Sequence, residues 1–392
     1  MDNRSSFPHW PAYGADEISA VDASLRSGRV NYWTGQEARQ FERAFASYVG
    51  TRHAIALANG TVALELALRC LNIGPGDEIV TTPRTFIASA SCAVMCGAEV
   101  RFADVDRDSQ NIFAESIERV LTPRTKAIIV VHLAGWPCEM DEVMQLARER
   151  NLTVVEDCAQ ACGARYRGHQ VGSLGHAAGF SFCQDKIITT GGEGGMLTLN
   201  SQEAWLRAWA FKDHGKSYEA VYNRQHPAGF RWLHESFGTN WRMTEMQAAI
   251  GRTQLGKLSA WVAIRQRNAA ILKEHLAGIS AVRMPSPPSH IEHAFYRFYF
   301  FVDPSGLKSA WSRDRIVGEI SEVGIPCFSG SCSEIYLEKA FGDPRDWSMQ
   351  RLPVARELGE TSVALLVHPT LEVEHMARAG HVVREILRQA SR

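Results

Sequence analysis

The chain has almost no net charge: 42 lysines and arginines face 43 aspartates and glutamates, a formal balance of −1 over 392 residues. That balance excludes a general nucleic-acid or membrane-surface binder, which needs a basic excess. No uninterrupted apolar run approaches the ~18–20 residues required to cross a bilayer. Met1 to Trp10 lack the basic and apolar regions of a secretion leader. Cysteine occurs nine times but never as C-x-x-C. The closest spacings, Cys92/Cys96 and Cys158/Cys162, have no neighbouring ligands at zinc-finger spacing, so no metal site is expected. Scattered, odd-numbered thiols imply a reducing compartment, and the expected location is the cytoplasm. There is no internal repeat and no low-complexity tract. What is present, 45% hydrophobic and 22% charged residues, suits a soluble chain that can bury a large core and form two domains.

Short apolar runs alternate with helical patterns along the first half. Residues 54–58, 78–82, 100–103, 126–132, 153–157 and 178–182 read as strands. Residues 36–49, 62–71, 86–96 and 141–150 read as helices, with Phe41, Phe45 and Tyr48 on one core-facing stripe of the first. This alternation predicts an α/β fold with a doubly wound, mostly parallel sheet. Ligands in such sheets bind at the carboxyl ends of strands, and those ends carry Asn59, Phe86, Asp157 and Lys186. Beyond them, residues 204–212 read as a helix, 217–237 as a long ordered loop and 244–277 as one long helix. A small α+β domain follows, with a strand at 297–302 and helices at 312–323 and 372–389. The expected domains are 1–253 and 254–392.

Lys186 lies between the apolar run 178–182 and the cluster Thr189-Thr190-Gly191-Gly192-Glu193-Gly194-Gly195. It reads either as a side chain snorkelling from a strand end or as a buried amine. Desolvation would lower the pKa of such an amine and make it nucleophilic toward a carbonyl. Asn59-Gly60-Thr61 reads either as a plain N-cap or as a phosphate site at a helix start. Asp157 reads alternatively as a turn-capping acid and Phe86 as a core ring. Together the four match what pyridoxal phosphate needs. That cofactor takes an amine for its aldehyde, a carboxylate for its ring nitrogen, a helix start for its phosphate and an aromatic face for its ring. His132, His214 and His368 read as structural; Cys158 and Cys183 read as thiols near the pocket, open to oxidation but with nothing that marks a nucleophile.

The sequence resembles the DegT/DnrJ/EryC1/StrS sugar aminotransferases, of the fold-type I pyridoxal-phosphate enzymes, over nearly its whole length. The likeness is carried by Asn59-Gly60-Thr61-Val62-Ala63-Leu64, Gly74-Pro75-Gly76-Asp77-Glu78 and Thr85-Phe86. Further matches are Glu156-Asp157-Cys158-Ala159-Gln160, Ser181-Phe182 with Lys186, Gly194-Gly195, and the run Gly238 to Glu245. The resemblance implies a large pyridoxal-phosphate domain and a small C-terminal one. It implies that Lys186 forms the Schiff base and moves the proton, that Asp157 pairs with the pyridinium nitrogen and that Gln160 bonds the ring hydroxyl. Phe86 would stack on the ring, and Gly60, Thr61 and Ser181 would hold the phosphate. Asn240 would reach the phosphate of a neighbouring subunit, which makes the active unit a homodimer. The implied reaction moves an amino group from an amino acid, taken as L-glutamate, to a keto-sugar, taken as a nucleotide-linked keto-deoxysugar for surface polysaccharide or glycan biosynthesis. Alternatives are a free keto-sugar or cyclic ketone as acceptor, or a sugar dehydratase. Related dehydratases carry histidine in place of the lysine, so Lys186 favours transamination. A non-catalytic regulator is disfavoured by the Lys186–Asp157 pair. The chain departs from the family pattern at Asn59, commonly serine, and in the additional glycine between Thr190 and Glu193. Lys216, Arg224 and Arg231, within 212–232, read either as a recognition loop for a diphosphate or acidic sugar or as an interface loop.

Overall fold

The computed structural model describes residues 7–342 and 351–392. The first six residues of the N-terminal arm, and 343–350 of the expected small domain, lie outside that description. The strands are β1 (His53–Leu57), β2 (Glu78–Thr81), β3 (Glu99–Phe102), β4 (Thr125–Val131), β5 (Thr153–Asp157), β6 (Arg165–Tyr166), β7 (His169–Gln170), β8 (Ala177–Ser181) and β9 (Gly195–Leu199). β10 (Val282–Arg283), β11 (Ile291–Glu292), β12 (Phe298–Val302), β13 (Cys327–Phe328) and β14 (Ser362–Leu365) follow. Helices are numbered α1 (Ala15–Arg26), α2 (Glu37–Val49), α3 (Gly60–Cys70), α4 (Ala88–Met95), α5 (Ala114–Glu118), α6 (Met140–Arg150) and α7 (Gln202–Phe211). The later ones are α8 (Tyr218–Tyr222), α9 (Glu245–Leu255), α10 (Leu258–Leu276), α11 (Arg313–Glu322), α12 (Pro353–Thr361) and α13 (Val373–Ala390).

The large sheet has the order β1-β9-β8-β5-β4-β2-β3. All pairs from β8 to β3 are parallel, while β9 runs antiparallel to both β1 and β8. β4, Thr-Lys-Ala-Ile-Ile-Val-Val, is buried along all but one residue, as expected for a strand covered on both faces. β9 was not expected. It is buried throughout, but its apolar residues directly follow a glycine cluster that reads as a turn. α2 packs on the sheet as its stripe predicts. Phe41 and Phe45 are fully buried, with ring centroids 4.9–5.5 Å from Phe180 and Phe182.

The expected long helix over 244–277 is two helices. At the break the N–H of Lys257 reaches the carbonyl of Gln254 (2.9 Å). This three-residue closure is tighter than an α-turn and ends α9. The expected loop over 217–237 contains α8. The second sheet, β10-β12-β14-β13, is antiparallel throughout. α13 lays Met376, Ala379, Val383 and Leu387 against its core at helical spacing. Among the described residues no helix is long and apolar enough to cross a membrane.

Phe45→Ala is expected to lower the free energy of unfolding by about 3–5 kcal/mol. Denaturant titration checks this, and the loss should be cooperative because Phe45 joins α2 to β8.

Candidate active site

β1, β5 and β8 present their carboxyl ends on one edge of the sheet, and the loops that leave them meet there. After β1 the chain turns at once into α3. The Asn59 side chain accepts from the Val62 N–H (3.0 Å), which leaves the Gly60 and Thr61 N–H groups pointing from the positive helix end. The departure from serine at Asn59 therefore keeps the capping oxygen. A Cβ on Gly60 would stand 2.6 Å from the Ser181 Cβ, and one on Gly195 would stand 2.2 Å from the Asn59 carbonyl oxygen. Ser181 at the end of β8 is thus placed beside the helix start.

Asp157 ends β5, fully enclosed. Its carboxylate accepts from the Ser89 hydroxyl (2.6 Å) and the Ala159 N–H (3.0 Å). Burial raises its pKa above the ordinary carboxylate value. The two hydrogen bonds, with His132 and Lys186, oppose that rise without reversing it. An acid this buried and this poorly compensated suits a cationic partner.

Lys186 follows β8 in the loop that closes at Gly191 and Gly192. Both glycines have φ in the left-handed region, 87° and 122°, so the additional glycine is absorbed by the turn. The lysine side chain is 18% exposed. Its Nζ lies 3.1 Å from Asp185 Oδ1 and 3.5 Å from the Tyr296 hydroxyl, which itself donates to Asp185. The expected depression of its pKa is corrected. Burial does push it down, but Tyr296 and the Asp185 carboxylate outweigh burial and hold it above the ordinary lysine value.

Phe86, Gln160 and Lys186 line one cavity of about 530 Å³ together with Arg297, Tyr299 and Ser331. Phe86 was expected to begin a helix. Instead it stands in the turn before α4 and is 69% exposed, an apolar ring with a free face. Gln160 takes its Oε1 bond from the Ala134 N–H (2.9 Å), so its Nε2 is the donor left near Ser331 Oγ (3.5 Å). Ala134 has φ 57°, an uncommon conformation for alanine, and that conformation presents its N–H to Gln160.

Asn240 is not brought to this cavity. It is exposed and forms a β-bridge with Asp213. The segment considered for recognition is mostly committed internally. Lys212 is fully buried over the Tyr32 ring, Lys216 bonds Asp213 (3.0 Å), Arg224 pairs with Glu235 (2.7 Å), and Arg231 is exposed. Asp185, Tyr296 and Ser89 were missed. Tyr296 lies 110 residues from Lys186, and nothing local marks it. His132, Glu156 and Cys158 cluster closely enough to suggest a metal, but their donors are occupied. His132 Nδ1 accepts from the Cys138 N–H, so its Nε2–H faces Glu156 (3.0 Å). Glu156 also accepts from the Gly172, Leu174 and Gly175 N–H groups, and burial pushes the Cys158 thiol well up.

The model of the DegT/DnrJ/EryC1/StrS aminotransferase family matches residues 11–384. The chain belongs to that family. It is a pyridoxal-phosphate-dependent aminotransferase with the fold of those enzymes. The solved structure of an aminotransferase from Psychrobacter cryohalolentis is 52% identical, with a TM-score of 0.96 over 98% of this chain and 99% of that one. GDP-perosamine synthase of Caulobacter vibrioides is 41% identical over 287 residues, 73% of this chain and 74% of the relative. UDP-N-acetyl-3-dehydro-alpha-D-glucosamine 3-aminotransferase of Acidithiobacillus ferrooxidans is 35% identical over 361 residues, 91% and 90%. The donor set fits the cofactor: an amine, an enclosed carboxylate, an exposed ring and a helix start crowded only by glycine.

Gly60→Ala is expected to abolish cofactor retention by forcing Ser181 away, read as loss of bound chromophore after desalting. Asp157 supplies a pH prediction. Its folded pKa is raised, so its contribution to stability is present while it is protonated and is lost as pH rises through the folded value. Asp157→Asn removes that cost. The cofactor-free variant should melt higher than cofactor-free wild type at neutral pH, with the difference vanishing in acid.

Proposed function

We propose that this aminotransferase transfers an amino group from L-glutamate to a nucleotide-linked keto-sugar, for surface polysaccharide or glycan biosynthesis. The observation that carries the reading is the convergence of Lys186, Asp157, Phe86 and the Gly60–Thr61 helix start on one sheet edge. The relatives from Caulobacter and Acidithiobacillus, a GDP-perosamine synthase and a UDP-N-acetyl-3-dehydro-alpha-D-glucosamine 3-aminotransferase, support the acceptor class. Pyridoxal phosphate, when bound, supplies an aldehyde that condenses with amines and a protonated ring that takes up electrons from the adjoining carbon.

The chain's own residues do the rest. Gly60 and Thr61 N–H groups and the Ser181 hydroxyl would hold the phosphate dianion. Asp157 would keep the ring nitrogen protonated and so gain the cation that its burial calls for. Phe86 would pack against the ring, and the Gln160 Nε2 would donate to its hydroxyl. Asp185 and Tyr296 hold the Lys186 ammonium in the free site. Lys186 would hold and return the proton at the substrate carbon in both the donor and the acceptor half of the cycle. Asn240, exposed and not among the residues lining the cavity, would complete the phosphate site of a second subunit, which would make the working unit a homodimer in the cytoplasm. The two expected units, 1–253 and 254–392, would divide within α9.

The test is an absorbance scan of the holoenzyme before and after L-glutamate. The visible band should give way to a near-ultraviolet band and return only with a keto-sugar nucleotide. Lys186→Ala should lack the cycle, falling at least ~10³-fold. Asp157→Asn should lose about 10–100-fold, the worth of a charge-assisted hydrogen bond of ~1.5–3 kcal/mol. A band indifferent to glutamate removes the donor assignment. A return of the band with free cyclic ketones alone moves the acceptor to the alternative class.

A further inference from the structure

The N-terminal arm touches the lysine that the reaction depends on. Lys186 has its N–H bonded to the Cys183 carbonyl (3.1 Å) and its ammonium held by Asp185 and Tyr296. Its own carbonyl receives no backbone N–H among the described residues. It accepts instead from the indole Nε1–H of Trp10, at 2.8 Å across 176 residues of sequence. A partly buried carbonyl left without a donor would cost free energy, so this bond has a definite role in placing the loop.

Trp10 is itself held on every side. Its ring meets Trp261 edge-on (5.1 Å) and stacks on His368 (6.0 Å, 22° between planes). The Arg265 guanidinium lies 5.3 Å from its centroid. Arg265 is fully buried and has no carboxylate partner among the described residues, and its Nε and Nη2 carry no hydrogen bond. The π face of Trp10 compensates part of that charge. Arg265 Nη1 in turn donates to the carbonyls of Phe295 and Tyr296 (3.4 and 3.2 Å), and Tyr296 is the side chain that holds Asp185 and Lys186. Trp10 and Arg265 thus reach the lysine from two directions, through its carbonyl and through Tyr296. The arm is anchored elsewhere. Phe7 is buried in the core of the second sheet with Leu272, Phe300 and Met376, and the Thr370 hydroxyl donates to the His9 carbonyl (3.0 Å).

We propose that Trp10 is a positioning residue for Lys186, through which the arm ties the lysine's main chain to the C-terminal sheet. This rests on the reading of Lys186 as the residue that links to the cofactor. It predicts that loss of the indole N–H leaves pyridoxal phosphate bound at its phosphate but less often joined to the lysine.

Trp10→Phe keeps a ring between Trp261 and Arg265 and removes the donor. The full-length protein is equilibrated with pyridoxal phosphate. Total bound cofactor is measured by dialysis, and the fraction linked to Lys186 by borohydride reduction and peptide mass mapping. The equilibrium between linked and unlinked bound cofactor should shift about fivefold toward unlinked, the effect of one net hydrogen bond of ~1 kcal/mol at 1.4 kcal/mol per decade. Total binding and Tm should stay near wild type. Thr370→Val, close in shape, removes the hydroxyl that holds His9 and should shift the same equilibrium in the same direction by less. It decides the question if Trp10→Phe does not fold. An unchanged linked fraction in the folded variants overturns the arm's role while leaving Lys186 in place. Label on another lysine in the wild type overturns both.

Discussion

A backbone approach too close for any side chain sets the geometry of this protein. Gly60 lies against Ser181, and Gly195 against the Asn59 carbonyl, at distances where a Cβ would overlap its neighbour. Three segments are brought together there: the start of α3, the end of β8 and the start of β9. The helix start can face an anion only because nothing projects between it and β8. The lysine that follows β8 is placed by the same junction. Sheet topology supports this, since β9 runs antiparallel between β1 and β8 and so delivers its first glycine to the edge where both neighbours end.

Electrostatics then separates two charges that a solvent-exposed site would leave equivalent to any others. Asp157 is enclosed, with two hydrogen bonds and a raised pKa. It is destabilised until a cation arrives. Lys186 is the reverse, stabilised as an ammonium by Asp185 and Tyr296 in spite of its burial. The free site therefore holds a buried carboxylate without a cation and an amine kept as its ammonium. The roles proposed for Asp157 and Lys186 would answer both.

Much of this was legible in the sequence because strand ends in parallel sheets are marked by the composition that precedes them. Lys186, Asp157 and the Asn59–Thr61 turn each follow an apolar run, and the structure places all three on one edge. Phe86 was legible from its place after a strand and Gln160 only through the family likeness, and both line the cavity. What was illegible has a common cause: contacts between residues far apart in the chain. Tyr296, acting with Asp185, turns the lysine's pKa shift upward, and Trp10 reaches the lysine across 176 residues of sequence. Lys212, at the start of the aromatic, basic segment read as a recognition or interface loop, packs over Tyr32. β9 was hidden because glycines that permit close packing resemble glycines that make a turn. The break at Gly256 was invisible because both helices continue the same apolar period.

The most direct test of the account is a crystal structure of the protein grown with pyridoxal phosphate. It should show continuous density from Lys186 Nζ to the cofactor, the ring nitrogen within hydrogen-bond distance of Asp157, and Phe86 on the ring face. The phosphate should sit on the Gly60 and Thr61 N–H groups. A cofactor joined to another lysine, or a phosphate bound away from the start of α3, would contradict it.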